Sequence, residues 1–182
     1  MLRDEIPVPL LYLPYGAEKQ QVDEGILNLL QELKNSGTEI RYLGKGDELA
    51  LPSGSITVLW PENGKVRPGQ DANRYSLVSL FRLNGVTFLQ TGDIAGEYEL
   101  YSAVPADLLK ASHHGSSSSS SSEFLSVVSP QVVLLSCRNN NRHESFRTRL
   151  PEDVPLYSTA VSGALTLRFE DGKVILIPCL RD

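Results

Sequence analysis

Apolar and polar positions alternate along this chain in patterns that change period several times. Residues 8–15, VPLLYLPY, are apolar without a break up to Pro14-Tyr15-Gly16, which predicts a buried strand. From Glu18 to Ser36 the apolar residues Val22, Ile26, Leu29, Leu30 and Leu33 fall at helical spacing, and Gly37 stands where a helix C-terminus wants a residue of positive φ. TEIRYL (38–43) and GSITVLW (54–60) read as strands, the second with Ile56, Val58 and Trp60 on one face. Residues 61–74 are polar and rich in Pro and Gly, which predicts a surface loop. YSLVSLFRL and VTFLQTG flank Asn84-Gly85, a dipeptide suited to a type I′ hairpin turn. Further strands are expected at 107–112, 131–137 and 154–159, and a last hairpin, GALTLRF and KVILIPC, around Glu170-Asp171-Gly172. Short helices are expected at Ile94–Tyr101, Ser120–Val128 and His143–Leu150. The class is mixed α/β, with mainly antiparallel hairpins plus strand–helix–strand units.

At 182 residues the chain is long enough for one domain with a core and short for two. No apolar run approaches the ~20 residues that cross a bilayer, and no leader pattern opens the chain, so a soluble piece is expected. A net charge of −5 without a basic block argues against a surface dedicated to coating nucleic acid. The local cluster Arg138, Arg142, Arg147 and Arg149 is read as a solvated loop and helix face, with a small nucleic-acid-contacting patch as the alternative. Cys137 and Cys179 end apolar runs and are expected to be buried thiols.

The serine run 116–122 has a partial local explanation. Ser120 lies three residues before Glu123 and just ahead of Phe124, Leu125, Val127 and Val128, a capping-box spacing that predicts a helix start. The serines directly after Gly115 have no such role and are expected to be mobile.

Candidate chemistry sits at two strand ends. Asp93 closes FLQTGD, and His113 and His114, two of the three histidines in the chain, close LLKASHH. Ligands gather where strands stop and loops begin. A carboxylate with imidazoles suits zinc, manganese or iron. Each motif alone has an ordinary reading: Thr-Gly-Asp as a turn and helix cap, His-His-Gly as a polar loop.

Together, SLVSLFRLNGVTFLQTGDI, ADLLKASHHGSSSSSSSEFLSVVSPQVVLLS and LYSTAVSGALTL resemble the metallo-β-lactamase-fold domain at the C-terminal end of ComEC competence proteins, as do LWP (59–61) and DANRYSLV (71–78). The resemblance implies the C-terminal portion of an αββα sandwich, residues 1–182 forming a single partial domain. It implies a parent that is a bacterial membrane protein for DNA uptake, its extramembrane domain a metal-dependent nuclease or phosphodiesterase with zinc or manganese. Asp93 would be the bridging metal ligand. Of His113 and His114, one would be a ligand and the other would lie near the scissile phosphate. Ser116, Asn141 and His143 would contact substrate.

The His-x-His-x-Asp-His motif of this fold is missing, since no histidine precedes residue 113. NRHESF (141–146) stands where relatives carry Gly-His-Pro, and His143 matches it only approximately. Asp93, His113 and His114 cannot furnish two sites of three protein ligands each. The chain is therefore expected to be a fragment of a larger protein, with a degenerate copy as the alternative, that alone is inactive and holds divalent metal weakly or not at all. A homodimer through an incompletely covered sheet is also expected. The competing readings are a non-catalytic interaction module and a hydrolase of the same fold acting on a small phosphoester or ester.

Overall fold

A computed structural model of the chain describes residues 7–17, 24–66 and 71–179. The expected helix start at Glu18 and Val22, and residues 67–70 of the expected loop, lie outside the described residues.

The first unit is β1 (Leu10–Pro14), α1 (Glu24–Asn35) and β2 (Glu39–Leu43), with β1 and β2 paired in parallel from Leu10↔Glu39 to Pro14↔Leu43. A helical crossover is what a parallel neighbour requires. No residue of α1 is buried, and Ile26, Leu27 and Leu29 are 48%, 51% and 43% exposed.

The main sheet runs in sequence order: β3 (Glu48–Leu51), β4 (Gly54–Trp60), β5 (Val78–Leu83), β6 (Val86–Gln90), β7 (Leu108–Lys110), β8 (Val132–Leu135) and β9 (Leu156–Ser158). The pairings from β3 to β6 are antiparallel and those from β6 to β9 parallel, so the sheet is mixed, as the α/β class expects. The antiparallel half follows from tight turns such as Asn84-Gly85, both at positive φ as a type I′ turn demands. The parallel half follows from the returns through α2 (Gly96–Glu99) with a 3₁₀ turn at Leu100–Ser102, α3 (Ser122–Val128) and α4 (Asn140–Arg147). β3 was not evident in the sequence, and α4 begins three residues before the expected His143, because the Asn139 side chain caps it by accepting from the Arg142 N–H at 3.0 Å.

Each face of this sheet has its own core. Trp60, Val78, Leu89, Leu109, Phe124, Val128, Val133, Leu135 and Phe146 fill one side, all fully buried. On the other, Val86, Leu108 and Leu134 with Phe88 and Val132 meet Leu165, Leu167, Phe169, Val174 and Leu176 of the hairpin β10 (Leu165–Glu170) and β11 (Lys173–Pro178). The turns of the two hairpins lock: Asn84 Nδ2 donates to the Phe169 carbonyl at 2.6 Å, and the Gly172 N–H donates to the Asn84 carbonyl at 2.9 Å. The face expected to be left open for a second copy is thus covered by the chain's own hairpin. The same alternation that turns Val174 and Leu176 inward turns Cys179 outward, where it is exposed. Cys137 lies past the end of β8, half-buried against the edge of the core, so neither thiol is fully buried.

Candidate active site

Strands β6 and β7 run parallel and stop together, which brings the two candidate motifs side by side. The Thr91 hydroxyl donates to the Lys110 carbonyl at 2.7 Å, and the His113 N–H donates to the Gly92 carbonyl at 3.2 Å. The Asp93 N–H is held by the Ser76 hydroxyl at 3.1 Å.

Asp93 and His114 meet: Nε2 lies 3.3 Å from Oδ2. The other ring nitrogen, Nδ1, lies 2.9 Å from the Ser136 carbonyl, which can only accept, so Nδ1 carries a proton and Nε2 is the nitrogen turned toward Asp93. A backbone carbonyl behind Nδ1 is the support that metal-ligating histidines use. Two ligands about 2.1 Å from one tetrahedral ion lie about 3.4 Å apart, so the spacing of this pair suits two donors of a shared ion. His113 does not join them as a third donor. Among the described residues no three His, Cys, Asp or Glu side chains are gathered where they could hold one ion. The pair fits as part of a ligand set and is not a centre by itself.

A cation stands on the other side of Asp93. Lys110 Nζ lies 3.9 Å from Oδ1 and donates to the Gly92 and Ala111 carbonyls, both at 3.2 Å. Burial pushes the Lys110 ammonium below the usual lysine range, and Asp93 opposes that shift.

The loop that carries His114 is strained and firmly held. His113 and His114 sit at φ 47° and 53°, and Gly115 follows at 72°. Left-handed backbone costs about 1–2 kcal/mol at each non-glycine residue. A side chain at Gly115 would meet Leu135 Cδ1 at 2.7 Å, so this position needs glycine twice over. Most of the serines after it are hydrogen-bonded. Arg149 Nη1 donates to the Ser116 and Ser119 carbonyls at 2.8 and 2.9 Å, and Nη2 to the Gly115 carbonyl at 3.3 Å. At the far end, the carboxylate of Glu99, 1% exposed, accepts from the Ser120 N–H at 2.6 Å and the Ser121 N–H at 2.8 Å. The helix cap is Ser121, whose hydroxyl accepts from the Phe124 N–H at 3.1 Å. Ser120 instead takes φ 52° and is buried, and exposed Glu123 does not play the reciprocal part that Glu99 takes.

His114 opens onto a cavity of about 480 Å3 lined by Ser136, Cys137, Arg138, Asn139 and Arg142. It carries two guanidinium groups and no carboxylate among the described residues that line it. Of the residues expected to contact substrate, Asn141 is exposed on α4 outside this lining. His143 turns away from it, with Nδ1 2.8 Å from the hydroxyl of buried Ser158. Ser116 uses its hydroxyl within the loop, 3.0 Å from that of Ser118. Arg138, Asn139 and Arg142, not Asn141 or His143, line the cavity beside His114.

With this geometry in view, relatives can be compared. Over 174 residues the chain is 32% identical to ComE operon protein 3 of Bacillus subtilis, covering 90% of this chain and 22% of that protein. Along most of its length the chain is thus similar to one part of a ComE-type competence protein. It spans about a fifth of the length of the relative it matches. No protein-family model matches it. Among solved structures it resembles a protein of Parabacteroides distasonis assigned as a metal-dependent hydrolase, with a TM-score of 0.50 at 12% identity, covering 84% of this chain and 77% of that one. It is also similar to the metallo-β-lactamase fold protein YhfI of Bacillus subtilis, with a TM-score of 0.49 at 12% identity, covering 82% and 62%. No helix among the described residues is long and apolar enough to cross a membrane.

Proposed function

We propose that this ComEC-type unit belongs to a metal-dependent phosphodiesterase or nuclease acting on DNA, within a membrane-bound parent concerned with DNA uptake. The observation that carries this reading is the Asp93–His114 pair at the mouth of a cavity lined by Arg138 and Arg142. Guanidinium groups bind phosphate oxygens through fixed, paired N–H donors and stay charged at any working pH. A phosphodiester held there would lie beside Asp93 and His114. Those two residues would supply two donors to a zinc or manganese centre, which when bound polarises a phosphoryl oxygen and activates water. Lys110 keeps the Asp93 carboxylate compensated and oriented at the strand end. Ser136 holds the His114 ring in the tautomer that presents Nε2. His113, whose ring is not part of the pair, shapes the turn.

The test is salt-dependent binding of a short single-stranded oligonucleotide to the chain and to an Arg138→Ala/Arg142→Ala variant. Each phosphate contact contributes about 0.7 to the log–log salt slope on single strands, so the slope should fall by roughly 1.4. An unchanged slope and affinity would overturn the phosphate reading. In the longer parent, Asp93→Ala should abolish hydrolysis while the fold melts as before.

A further inference from the structure

A second surface is built by the segments that flank Asp93, and neither the metal-ligand pair nor the phosphate cavity uses it. Trp60 is fully buried, and its indole N–H donates to the Arg74 carbonyl at 2.7 Å. On it lies Tyr101, nearly parallel at 19° with ring centroids 5.7 Å apart, and Tyr98 leans against both, at 5.1 Å from Trp60 and 6.2 Å from Tyr101. This column ends in solvent: Tyr101 is 49% exposed and its neighbour Leu100 43%. Two cations flank it. Lys65 Nζ is 5.2 Å from the Tyr101 ring centroid, and the Arg74 guanidinium is 5.2 Å from that of Tyr98 and ion-paired with Glu97.

The column is tied to the active edge by both segments that build it. Tyr98 and Tyr101 lie on the segment that leaves Asp93, and Ser76, two residues after Arg74, holds the Asp93 N–H. A half-exposed aromatic ring on a rigid buried indole, with an exposed lysine over it that can swing aside and an arginine over the neighbouring Tyr98 ring, fits a ligand that joins a flat π face to a negative backbone. An apolar protein partner would leave those cations desolvated. A nucleobase stacks on such a ring whatever its identity, while Lys65, exposed on its four-carbon stem, can swing onto the adjoining phosphate.

We propose that Tyr101, backed by Trp60 and Tyr98 and flanked by Lys65 and Arg74, is a base-stacking subsite for single-stranded nucleic acid beside the phosphate cavity. It rests on the phosphodiester reading above and adds to it a place for the base.

Trp60 is the only tryptophan in the chain, so its emission reports on this column. The probes are an oligothymidylate of about eight nucleotides and an abasic oligomer of equal length. The oligothymidylate should change Trp60 emission on binding and the abasic oligomer should not. Tyr101→Leu keeps apolar cover over Trp60 but removes the ring. It should weaken oligothymidylate binding on the order of tenfold and leave abasic binding unchanged, while Tyr101→Phe should bind as the wild type does. Equal wild-type affinity for the two oligomers with no emission change would overturn the subsite, and that comparison needs no variant to fold. So would Tyr101→Leu weakening both oligomers alike, which marks a purely structural ring, or no binding of the oligothymidylate at all. The Arg138→Ala/Arg142→Ala variant separates the two readings. If it binds both oligomers normally while Tyr101→Leu still discriminates, the subsite stands and the phosphate cavity falls.

Discussion

Glu99→Gln is the sharpest perturbation of the loop that presents His114. The buried carboxylate accepts one backbone N–H on each oxygen, from Ser120 and Ser121. Glutamine has the same shape but turns one oxygen into an amide donor, which must then face one of those N–H groups. A hydrogen bond to a charged acceptor is worth about 1.5–3 kcal/mol net, and a stranded buried donor costs about 1–3 kcal/mol. Release of the carboxylate from a buried position offsets part of this. The expected loss is therefore about 2–3 kcal/mol, which in a chain of this size lowers the melting temperature by roughly 5–10 °C. Urea denaturation gives the free energy, and amide exchange at Ser120 and Ser121 localises it. Glu123→Gln is the control: exposed on α3, it should change stability by less than about 0.5 kcal/mol. If Glu99→Gln costs no more than Glu123→Gln, or if the Ser120 and Ser121 amides exchange as in the wild type, the clasp is not what holds the loop.

Three other expectations are open to measurement. Lys110 is pushed down in the folded chain and titrates normally, near 10.4, when unfolded; between those two values the unfolded state binds more protons and stability rises with pH. The stability of wild type relative to Lys110→Met should therefore become more favourable from neutrality to about pH 10.5, and a pH-independent difference would refute the assignment. With Asp93 and His114 as the donors gathered among the described residues, the dialysed chain should retain less than one zinc or manganese ion, and added zinc should move its melting point little; two ions per chain by elemental analysis would contradict this. We propose that the apolar stripe Ile26, Leu27 and Leu29 on α1 carries whatever self-association occurs, so Leu27→Glu/Leu29→Glu should shift sedimentation toward monomer, and an unaltered profile would exclude that face.

How far the sequence could be read depended on whether a feature was local. The two I′ turns at Asn84-Gly85 and Asp171-Gly172 need positive φ within two residues, and the residue types announce it. Asp93 and His114 were legible because each follows a strand end, and parallel pairing of β6 with β7 makes those ends neighbours. The helix cap slipped by one residue, from Ser120 to Ser121, because seven consecutive serines offer the same hydroxyl at every position. A buried carboxylate from another segment chose between them. Arg138 and Arg142 are exposed, as a solvated face requires, but nothing in their spacing reveals that α4 starts beside His114. Lys110 carried no signal, being one residue in a three-residue strand.

The strain at His113–Gly115 gives these non-local contacts a common purpose. Two histidines in left-handed backbone would relax toward ordinary φ if the loop were free, and Nε2 of His114 would then leave Asp93. The loop is closed at its carbonyls by Arg149 and at its amides by Glu99, residues 33 and 22 positions distant along the chain from the serines they hold. Burial pushes the Arg149 guanidinium down from its usual range, the nearby charge of Arg142 adds to this, and Glu99 opposes it. One segment thus couples the cation of the clasp to a cation of the cavity. A phosphate placed between Arg138 and Arg142 would relieve the repulsion that Arg142 exerts on Arg149, and ligand binding would then favour loop order. The coupling is reciprocal by linkage: whatever tightens the serine loop should also tighten phosphate binding. Glu99→Gln should therefore weaken oligonucleotide binding although Glu99 does not line the cavity, and unchanged affinity in a loosened loop would show the two to be independent.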